Sequence, residues 1–284
     1  MAWPDRVPAS LEEVGHIVAR IDAGLPSARF AAETALTSML ASALDRPLFG
    51  MWVDEPAGAV PIAQNLWGED LESVHASAAE AAAYELGTVK LKVGRPDREA
   101  ERAMIELVRR LLPRAELRLD ANGAIAPDVL EERLEELSAY DPAFFEEPAP
   151  LDAVLALRTK PPFPLAVDES LAVDADARLA HALAHDAIGV VVLKPTLLGG
   201  LSRCWELARR AREAGRSVVV SHLLEGTIAR AAAAHLALAL GGPAAGLGDH
   251  PALDPLSDGL LASWIDLAWI EPPAAAGLGL ELVW

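Results

Sequence analysis

The stretch Val89-Lys90-Leu91-Lys92-Val93 alternates aliphatic and basic side chains. Successive side chains of a β-strand point to opposite faces, so the two lysines share one face and the aliphatic residues share the other. The aliphatic face can pack against outer helices, which leaves both lysines on the inner face of a curved sheet. This stretch therefore predicts a strand that carries charge into the interior of a barrel.

Short aliphatic runs recur along the chain, and helical patterns fill the gaps between them. Strands are expected over 60–63, 89–93, 117–119, 143–145, 165–167, 189–193, 217–220 and 244–247, and helices over 98–112, 127–139 and 202–214. Alternating strands and helices imply a parallel sheet with right-handed crossovers. Eight such strands predict an α/β fold of the TIM type, a (β/α) barrel. A doubly wound open sheet is the alternative, because periodicity does not reveal whether a sheet closes.

The first part of the chain has a helical pattern. Ser10 is expected to cap one helix with Glu13 at the capping-box position, and Ser27 to cap a second, alanine-rich helix that ends before Pro47. Three parts follow from these patterns. Residues 1–58 form a helical segment, residues 59–260 form the barrel, and residues 261–284 pack back on the rest.

Composition excludes several classes of protein. The 284 residues are 52% hydrophobic and 23% charged, which supports a large core and excludes disorder. The net charge of −18 argues against nucleic acid or an anionic membrane as a partner. Cys204 is the one cysteine, which excludes an intrachain disulfide and a cysteine zinc site. With no targeting or membrane-spanning pattern, a cytoplasmic location is expected.

Five successive strand ends each carry a charged side chain. They are Lys92, Asp120, Glu146, Asp168 and Lys194, spaced about 22 to 28 residues apart, the length of one βα unit. The carboxyl ends of parallel strands meet at one rim, so we expect three adjacent carboxylates flanked by two lysines. Three close carboxylates repel one another unless a cation lies between them. Mg²⁺ prefers such hard oxygen ligands.

A divalent cation beside lysines suits the removal of a proton α to a carboxylate. The product is an enediolate with two negative oxygens, which the cation stabilises. A lysine next to the cation has its ammonium form disfavoured, so its pKa falls toward that of a working base. Each motif alone is also common in proteins without such a site. Asp120-Ala121-Asn122-Gly123, for example, is typical of a turn. The shared register of all five favours a common site.

The ordered set of motifs is similar to the enolase superfamily, muconate-lactonizing branch, from about Pro26 to the C-terminus. The set comprises Lys90-Leu91-Lys92, Asp120-Ala121-Asn122, Glu146-Glu147-Pro148, Asp168-Glu169-Ser170 and Lys194-Pro195-Thr196 followed by Gly199-Gly200. The resemblance implies that Asp120, Glu146 and Asp168 hold Mg²⁺, for which Mn²⁺ can substitute. It also implies that Lys92 is the base, that Lys90 supports it electrostatically, that Lys194 faces the opposite side of the substrate, and that Asn122 lies next to the metal.

Within that branch the strand ends 192–197 and 220–225 most resemble the o-succinylbenzoate synthases of menaquinone biosynthesis. The implied reaction is syn dehydration of a succinylated hydroxycyclohexadiene carboxylate. Lys92 would take the α-proton and return it to the departing hydroxide, while Lys194 stabilises the ring by a cation–π contact. The resemblance implies that the substrate contacts are Asn122, Ser221, Glu225 and Gly246, with backbone groups of Ser221 and Gly246 holding the succinyl tail.

Several alternatives stay open. Dipeptide epimerases, N-acylamino-acid racemases and cycloisomerases of the same branch share these catalytic residues, so the small carboxylate substrate is not determined. Relative to the family, the β-meander of the capping domain is missing and residues 1–58 resemble its helical remnant. Weak activity is therefore expected unless a partner subunit, as in a homo-oligomer, covers the mouth of the barrel. A catalytically idle barrel and a Schiff-base aldolase are the alternatives from other classes.

Overall fold

The computed structural model of the chain describes residues 5–56, 58–250 and 259–282. The helices, in chain order, are α1 (Leu11–Val18), α2 (Pro26–Ala43), α3 (Leu71–Ala83), α4 (Arg98–Leu111), α5 (Leu130–Ser138), α6 (Leu151–Val154), α7 (Ala175–Leu183), α8 (Pro195–Leu198), α9 (Leu201–Glu213) and α10 (Thr227–Leu240). Short 3-10 helices span Leu48–Met51, Pro127–Val129 and Glu169–Ala172. Within these described ranges, no helix is both long enough and apolar enough to cross a bilayer.

The strands are short. They are β1 (Val60–Pro61), β2 (Gln64–Leu66), β3 (Thr88–Lys92), β4 (Glu116–Asp120), β5 (Phe144–Glu146), β6 (Leu165–Val167), β7 (Ile188–Leu193), β8 (Ser217–Val220), β9 (Leu260–Leu261), β10 (Trp269–Ile270) and β11 (Glu281–Leu282).

The chain divides into two compact units, each assembled from separate segments. The first contains Met1–Ile62, Leu193–Arg210 and Val218–Trp284, and the second contains Ala63–Val192 and Ala211–Ser217. The boundaries that we expect from the sequence, 1–58, 59–260 and 261–284, stay predictions.

The second unit is built on parallel strands β2 to β7, which lie side by side in chain order. The alternation seen in the sequence explains β3: Val89 and Leu91 are fully buried on one face, and Lys90 and Lys92 share the other. Asp97 caps helix α4, since its carboxylate accepts hydrogen bonds from two backbone N–H groups of the first turn. The α/β class with a parallel sheet, expected from the sequence, is confirmed.

The first unit begins with a helix pair. Ser10 caps α1 as predicted, since its Oγ accepts a hydrogen bond from Glu13 N at 3.2 Å. The apolar face of α1 then packs against α2, in a cluster made of Val14, Ile17, Val18, Ala32, Leu36 and Leu40. The prediction that Ser27 caps α2 is wrong, because the helix already starts at Pro26. Proline has its φ preset for a first helical turn and lacks the N–H that would need a cap.

Four segments of the first unit pair through backbone hydrogen bonds. Ser221 N donates to Leu193 O at 2.9 Å, Gly246 N to Val220 O at 2.8 Å, and Ala245 N to Pro61 O at 2.8 Å. Two strand predictions are corrected here. Residues 60–61 pair antiparallel with β10, and the 244–247 segment makes isolated parallel bridges rather than a regular strand. Pro61 has no N–H to donate, which limits how far a regular ladder can extend through it.

Candidate active site

Three charged residues lie at the same register position on neighbouring strands of the second unit. Lys92 on β3 is the register partner of Asp120 on β4, and Asp120 is the partner of Glu146 on β5. Neighbouring strands lie about 4.8 Å apart, so partners at the same register present adjacent side chains. Asp120 is 0% exposed and Glu146 is 2% exposed, so both carboxyl groups are withdrawn from bulk water.

The third predicted carboxylate lies on the next strand. Asp168 comes directly after β6, two residues beyond Ala166, which is the register partner of Glu146. Asp168 is also buried, at 1% exposure. The negative charge of Asp168 raises the pKa of Lys90, as the charges of Glu146 and Asp120 also do.

Lys90 holds the centre of this cluster. Its Nζ donates to Asp120 Oδ2 at 3.0 Å and to Glu146 Oε1 at 3.2 Å. Burial lowers the pKa of Lys90, but the carboxylates of Glu146, Asp120 and Asp168 outweigh it and hold the pKa above its ordinary value. Lys90 is therefore a fixed ammonium in this arrangement, in keeping with the electrostatic part expected of it.

Lys92 contacts the same cluster from a more open position. Its side chain is 45% exposed, and its Nζ lies 2.5 Å from Asp120 Oδ2. Burial raises the pKa of Asp120, but the charges and hydrogen bonds of Lys90 and Lys92 outweigh this and lower it to about 2. Asp120 is accordingly ionised, and Lys92 is tied to it by charge as well as by a hydrogen bond.

Asn122 supports Lys92 from the turn after β4. It lies in the left-handed region with φ of 44°, a conformation that asparagine tolerates better than most residues. Its Oδ1 accepts a hydrogen bond from Lys92 Nζ, its Nδ2 donates to Glu169 Oε1 at 3.1 Å, and its backbone N donates to Asp120 Oδ1 at 3.0 Å. Asn122 thus links the lysine to the ends of β4 and β6.

Glu147 is a residue for which the sequence analysis predicted no function. Its Oε1 accepts hydrogen bonds from Asp168 N at 2.6 Å and Ser170 N at 3.0 Å, and its Oε2 from Ser170 Oγ at 2.8 Å. Burial raises its pKa, and these hydrogen bonds oppose the rise. Glu147 therefore fixes the backbone that carries Asp168. The Glu-Glu-Pro doublet at 146–148 was the available signal, but alternation alone does not say what the second carboxylate contacts.

The donor atoms of the cluster fit Mg²⁺ in their chemistry. Three buried carboxylates on successive strand ends supply the hard oxygens that Mg²⁺ prefers. Over residues 5–56, 58–250 and 259–282, however, no three Asp, Glu, His or Cys side chains are grouped so that they could hold a metal ion. In the same structure, oxygens of Asp120 and Glu146 contact lysine ammonium groups.

The remaining predicted residues belong to the first unit. Lys194 is buried, and its backbone O accepts hydrogen bonds from Leu197 N and Leu198 N where α8 begins. Ser221 Oγ donates to Gly246 O at 3.0 Å. A Cβ at Gly246 would lie 2.7 Å from that hydroxyl, so glycine permits the close approach. Their parts in substrate binding stay predictions.

Glu225, the last of the predicted substrate contacts, is paired within the first unit. Its Oε2 lies 3.2 Å from His222 Nδ1. Burial raises the pKa of Glu225, but hydrogen bonds to His222 and Thr196 outweigh it, so the net shift is downward. Glu225 is therefore a carboxylate at neutral pH.

The chain was compared with known proteins. Residues 73–284 match the family described as Enolase C-terminal domain-like. An o-succinylbenzoate synthase from Desulfotalea psychrophila is 31% identical over 225 residues, which cover 75% of this chain and 59% of that protein. The chain thus spans less than two thirds of the length of this curated relative.

Solved structures show the same fold. An N-succinyl Arg/Lys racemase from Bacillus cereus superposes with a TM-score of 0.85 at 22% identity, covering 98% of this chain and 75% of that one. An enolase from Thermobispora bispora, complexed with magnesium and formate, superposes with a TM-score of 0.81 at 23% identity, covering 96% of this chain and 74% of that one. These likenesses confirm the expected TIM-type α/β class.

Proposed function

This chain belongs to the Enolase C-terminal domain-like family, and from that membership we propose that it removes a proton α to a substrate carboxylate and then eliminates water. The observation that carries this proposal is the contact between Lys92 and Asp120, next to a second lysine enclosed by three carboxylates. The o-succinylbenzoate synthase that is 31% identical supports a carbon–oxygen lyase of this type.

Lys92 is the proposed base. Of the two lysines on β3 it is the exposed one, so its Nζ can reach a substrate above the strand ends. As the free amine, Lys92 takes the α-proton, and the electron pair of the broken C–H bond passes to the substrate carboxylate. The resulting ammonium donates the same proton to the departing hydroxide. Water leaves, a carbon–carbon double bond forms, and the amine is regenerated.

The other residues of the cluster stay in fixed charge states during this reaction. Lys90 remains an ammonium because carboxylates enclose it. Asn122 orients Lys92 through its side-chain oxygen. Lys194 is proposed to face the other side of the substrate and to stabilise its ring by a cation–π contact.

Asp120, Glu146 and Asp168 are the residues that would hold Mg²⁺, or Mn²⁺ in its place. When bound there, the cation supplies positive charge where negative charge develops on the substrate carboxylate. The magnesium complex of the Thermobispora bispora enolase supports this assignment by analogy of fold. Binding also requires the ammonium groups of Lys90 and Lys92 to turn away from the carboxylate oxygens that they now contact.

The proposed substrate is the succinylated hydroxycyclohexadiene carboxylate of menaquinone biosynthesis. We propose to incubate the protein with this substrate and Mg²⁺ in D₂O, and to follow aromatic product by ultraviolet absorbance and α-deuteration by NMR. Product must form in the wild type and fall at least about 100-fold in Lys92→Ala, since a general base contributes that much. Lys160→Ala is the matched control, because Lys160 is an exposed lysine outside the cluster.

The same assay separates the alternatives. With an N-succinylamino acid as substrate, α-deuteration without elimination would indicate a racemase of the kind found in Bacillus cereus instead of a lyase. Absence of both product and deuteration with either substrate would contradict an active enzyme and indicate an idle barrel. Trapping of a substrate adduct by borohydride would indicate Schiff-base chemistry.

A further inference from the structure

The first unit contains a cavity of about 670 Å³. It lies between one face of α2 and the beginning of α10, and Leu278 also lines it. Phe30, Ala31 and Ala35 supply the α2 wall, and Ile228 and Ala229 supply the α10 wall. Ala31 and Ala35 are exposed, so the cavity opens to solvent. Its volume is that of a site for a small organic molecule, and its walls are mainly apolar, as such sites usually are.

Polar groups interrupt these apolar walls at a few points. Ser27, Thr34, Ser38 and Thr196 line the cavity with hydroxyl groups. Thr34 is only 4% exposed, and its Oγ1 has no hydrogen-bond partner within the described part of the chain. A buried hydroxyl without a partner is unfavourable in the folded protein.

One charged side chain is found among the lining residues of the cavity. Glu225 is the one titratable side chain among its described lining residues, and no lysine, arginine or histidine accompanies it there. His222 lies 3.2 Å from Glu225 Oε2 but is not part of the lining, and its Nε2 is 3.2 Å from Gly248 O. A carboxylate in a mainly apolar cavity attracts a cation and repels an anion, and it does so more strongly than it would in bulk water.

We propose that this cavity binds a small molecule with an apolar body and one protonated amine, the amine directed to Glu225 and the body against the α2 and α10 walls. The site goes beyond the proposed function: neither the strand-end carboxylates nor Lys92 lines it, and of the predicted substrate contacts it shares Glu225.

Three probes of equal length test this proposal: octylamine, octanol and octanoate, each measured by isothermal titration calorimetry below its micelle concentration. Octylamine must bind at least about 10-fold more tightly than octanol, and octanoate most weakly. In Glu225→Gln the amine must lose its advantage and bind within about threefold of the alcohol. Circular dichroism and thermal unfolding verify that this variant is folded.

A pair of variants on α2 distinguishes binding in the cavity from adsorption of the amine on the acidic protein surface. Ala31→Trp fills the cavity from an exposed position and must weaken all binding at least about 10-fold, even if Glu225→Gln fails to fold. Ala28→Trp places the same side chain at an exposed position of α2 outside the lining and must bind like the wild type. Equal amine binding by the Ala31 variant and the wild type indicates surface adsorption and overturns the proposal, as does octanoate binding as tight as that of octylamine.

Discussion

Lys92 Nζ lies 2.5 Å from Asp120 Oδ2, and the two residues are register partners on adjacent parallel strands. The contact follows from strand geometry, because in-register parallel strands place equivalent side chains next to each other. Both residues lie within strands, so no loop residue is needed to bring the two side chains together. The strand pairing thus fixes the backbone positions from which both side chains project toward a substrate.

Asn122 is expected to matter for rate rather than for stability. Replacing it with Ala removes the acceptor of Lys92 and the donor to Glu169, so we expect α-proton exchange to slow about 10-fold with KM nearly unchanged. Asn122→Gly is the matched variant, because glycine adopts a positive φ freely but lacks the amide. Equal losses in both variants assign the effect to the amide. Recovery in the glycine variant would instead assign it to backbone strain.

Glu147→Ala is expected to destabilise the fold by about 1–3 kcal/mol, because it leaves the buried N–H of Asp168 without its acceptor. It should also weaken Mg²⁺ binding about 10-fold or more, as loss of a group that orients a metal ligand does. Glu147→Gln should lie near the wild type, because its amide oxygen can accept from Asp168 N and its amide can donate to Ser170 Oγ. Urea unfolding and calorimetry with Mg²⁺ measure the two effects, with Glu135→Gln as an exposed control.

Glu101 and Arg133 form a buried ion pair that joins α4 to α5. Glu101 is 1% exposed and Arg133 is 4% exposed, and Glu101 Oε2 also accepts from Arg95 N at 2.9 Å. Glu101→Ala leaves the buried guanidinium paired with Glu136 but removes the acceptor of Gly94 N and Arg95 N, so we expect a loss of about 1–3 kcal/mol in the free energy of unfolding.

The double variant Glu101→Leu with Arg133→Met should recover part of that loss, because neither position then carries a buried charge. Urea unfolding of the single and double variants gives the comparison, and exposed Glu99→Ala serves as the control. A double variant less stable than Glu101→Ala alone would contradict this explanation.

His235 is expected to make stability depend on pH. Burial lowers its pKa from 6.5 to about 4, and Phe49 N donates to its Nδ1 at 3.3 Å, which requires the neutral ring. Below pH 6.5 the His235 imidazole is protonated in the unfolded protein, whereas in the folded protein it stays neutral down to about pH 4. The contribution of His235 is therefore complete above pH 6.5 and is lost as pH falls toward 4, by about 3 kcal/mol at about 1.4 kcal/mol per unit of pKa.

The measurement is the difference in unfolding free energy between the wild type and His235→Leu at several pH values from 7 to 4.5. The difference should shrink as the pH falls, since leucine takes up no proton in either state. His181→Gln is the control, because His181 is exposed on α7 and should leave the slope unchanged. A difference that stays constant with pH contradicts a buried neutral imidazole.

The strand ends could be predicted because their pattern is local. Alternation in Val89-Lys90-Leu91-Lys92 indicates which side chains share a face, and the spacing to Asp120 and Glu146 indicates one βα unit per step. The first strand was predicted only in part, for the opposite reason: residues 60–61 do form β1, but the first strand of the main sheet is β2 (Gln64–Leu66). An apolar run at 60–63 has no local mark that separates antiparallel pairing with β10 from parallel pairing in the main sheet.

The amino-acid sequence by itself determined the α/β class, the order of the charged strand ends and the family, because periodicity and motif spacing are properties of the chain. Only the tertiary structure decided that Lys90 is enclosed by carboxylates, that Glu147 fixes the backbone of Asp168, and that α2 and α10 enclose a cavity. These features join residues that are far apart in sequence, and their partners are selected by packing and by the need to satisfy buried polar groups.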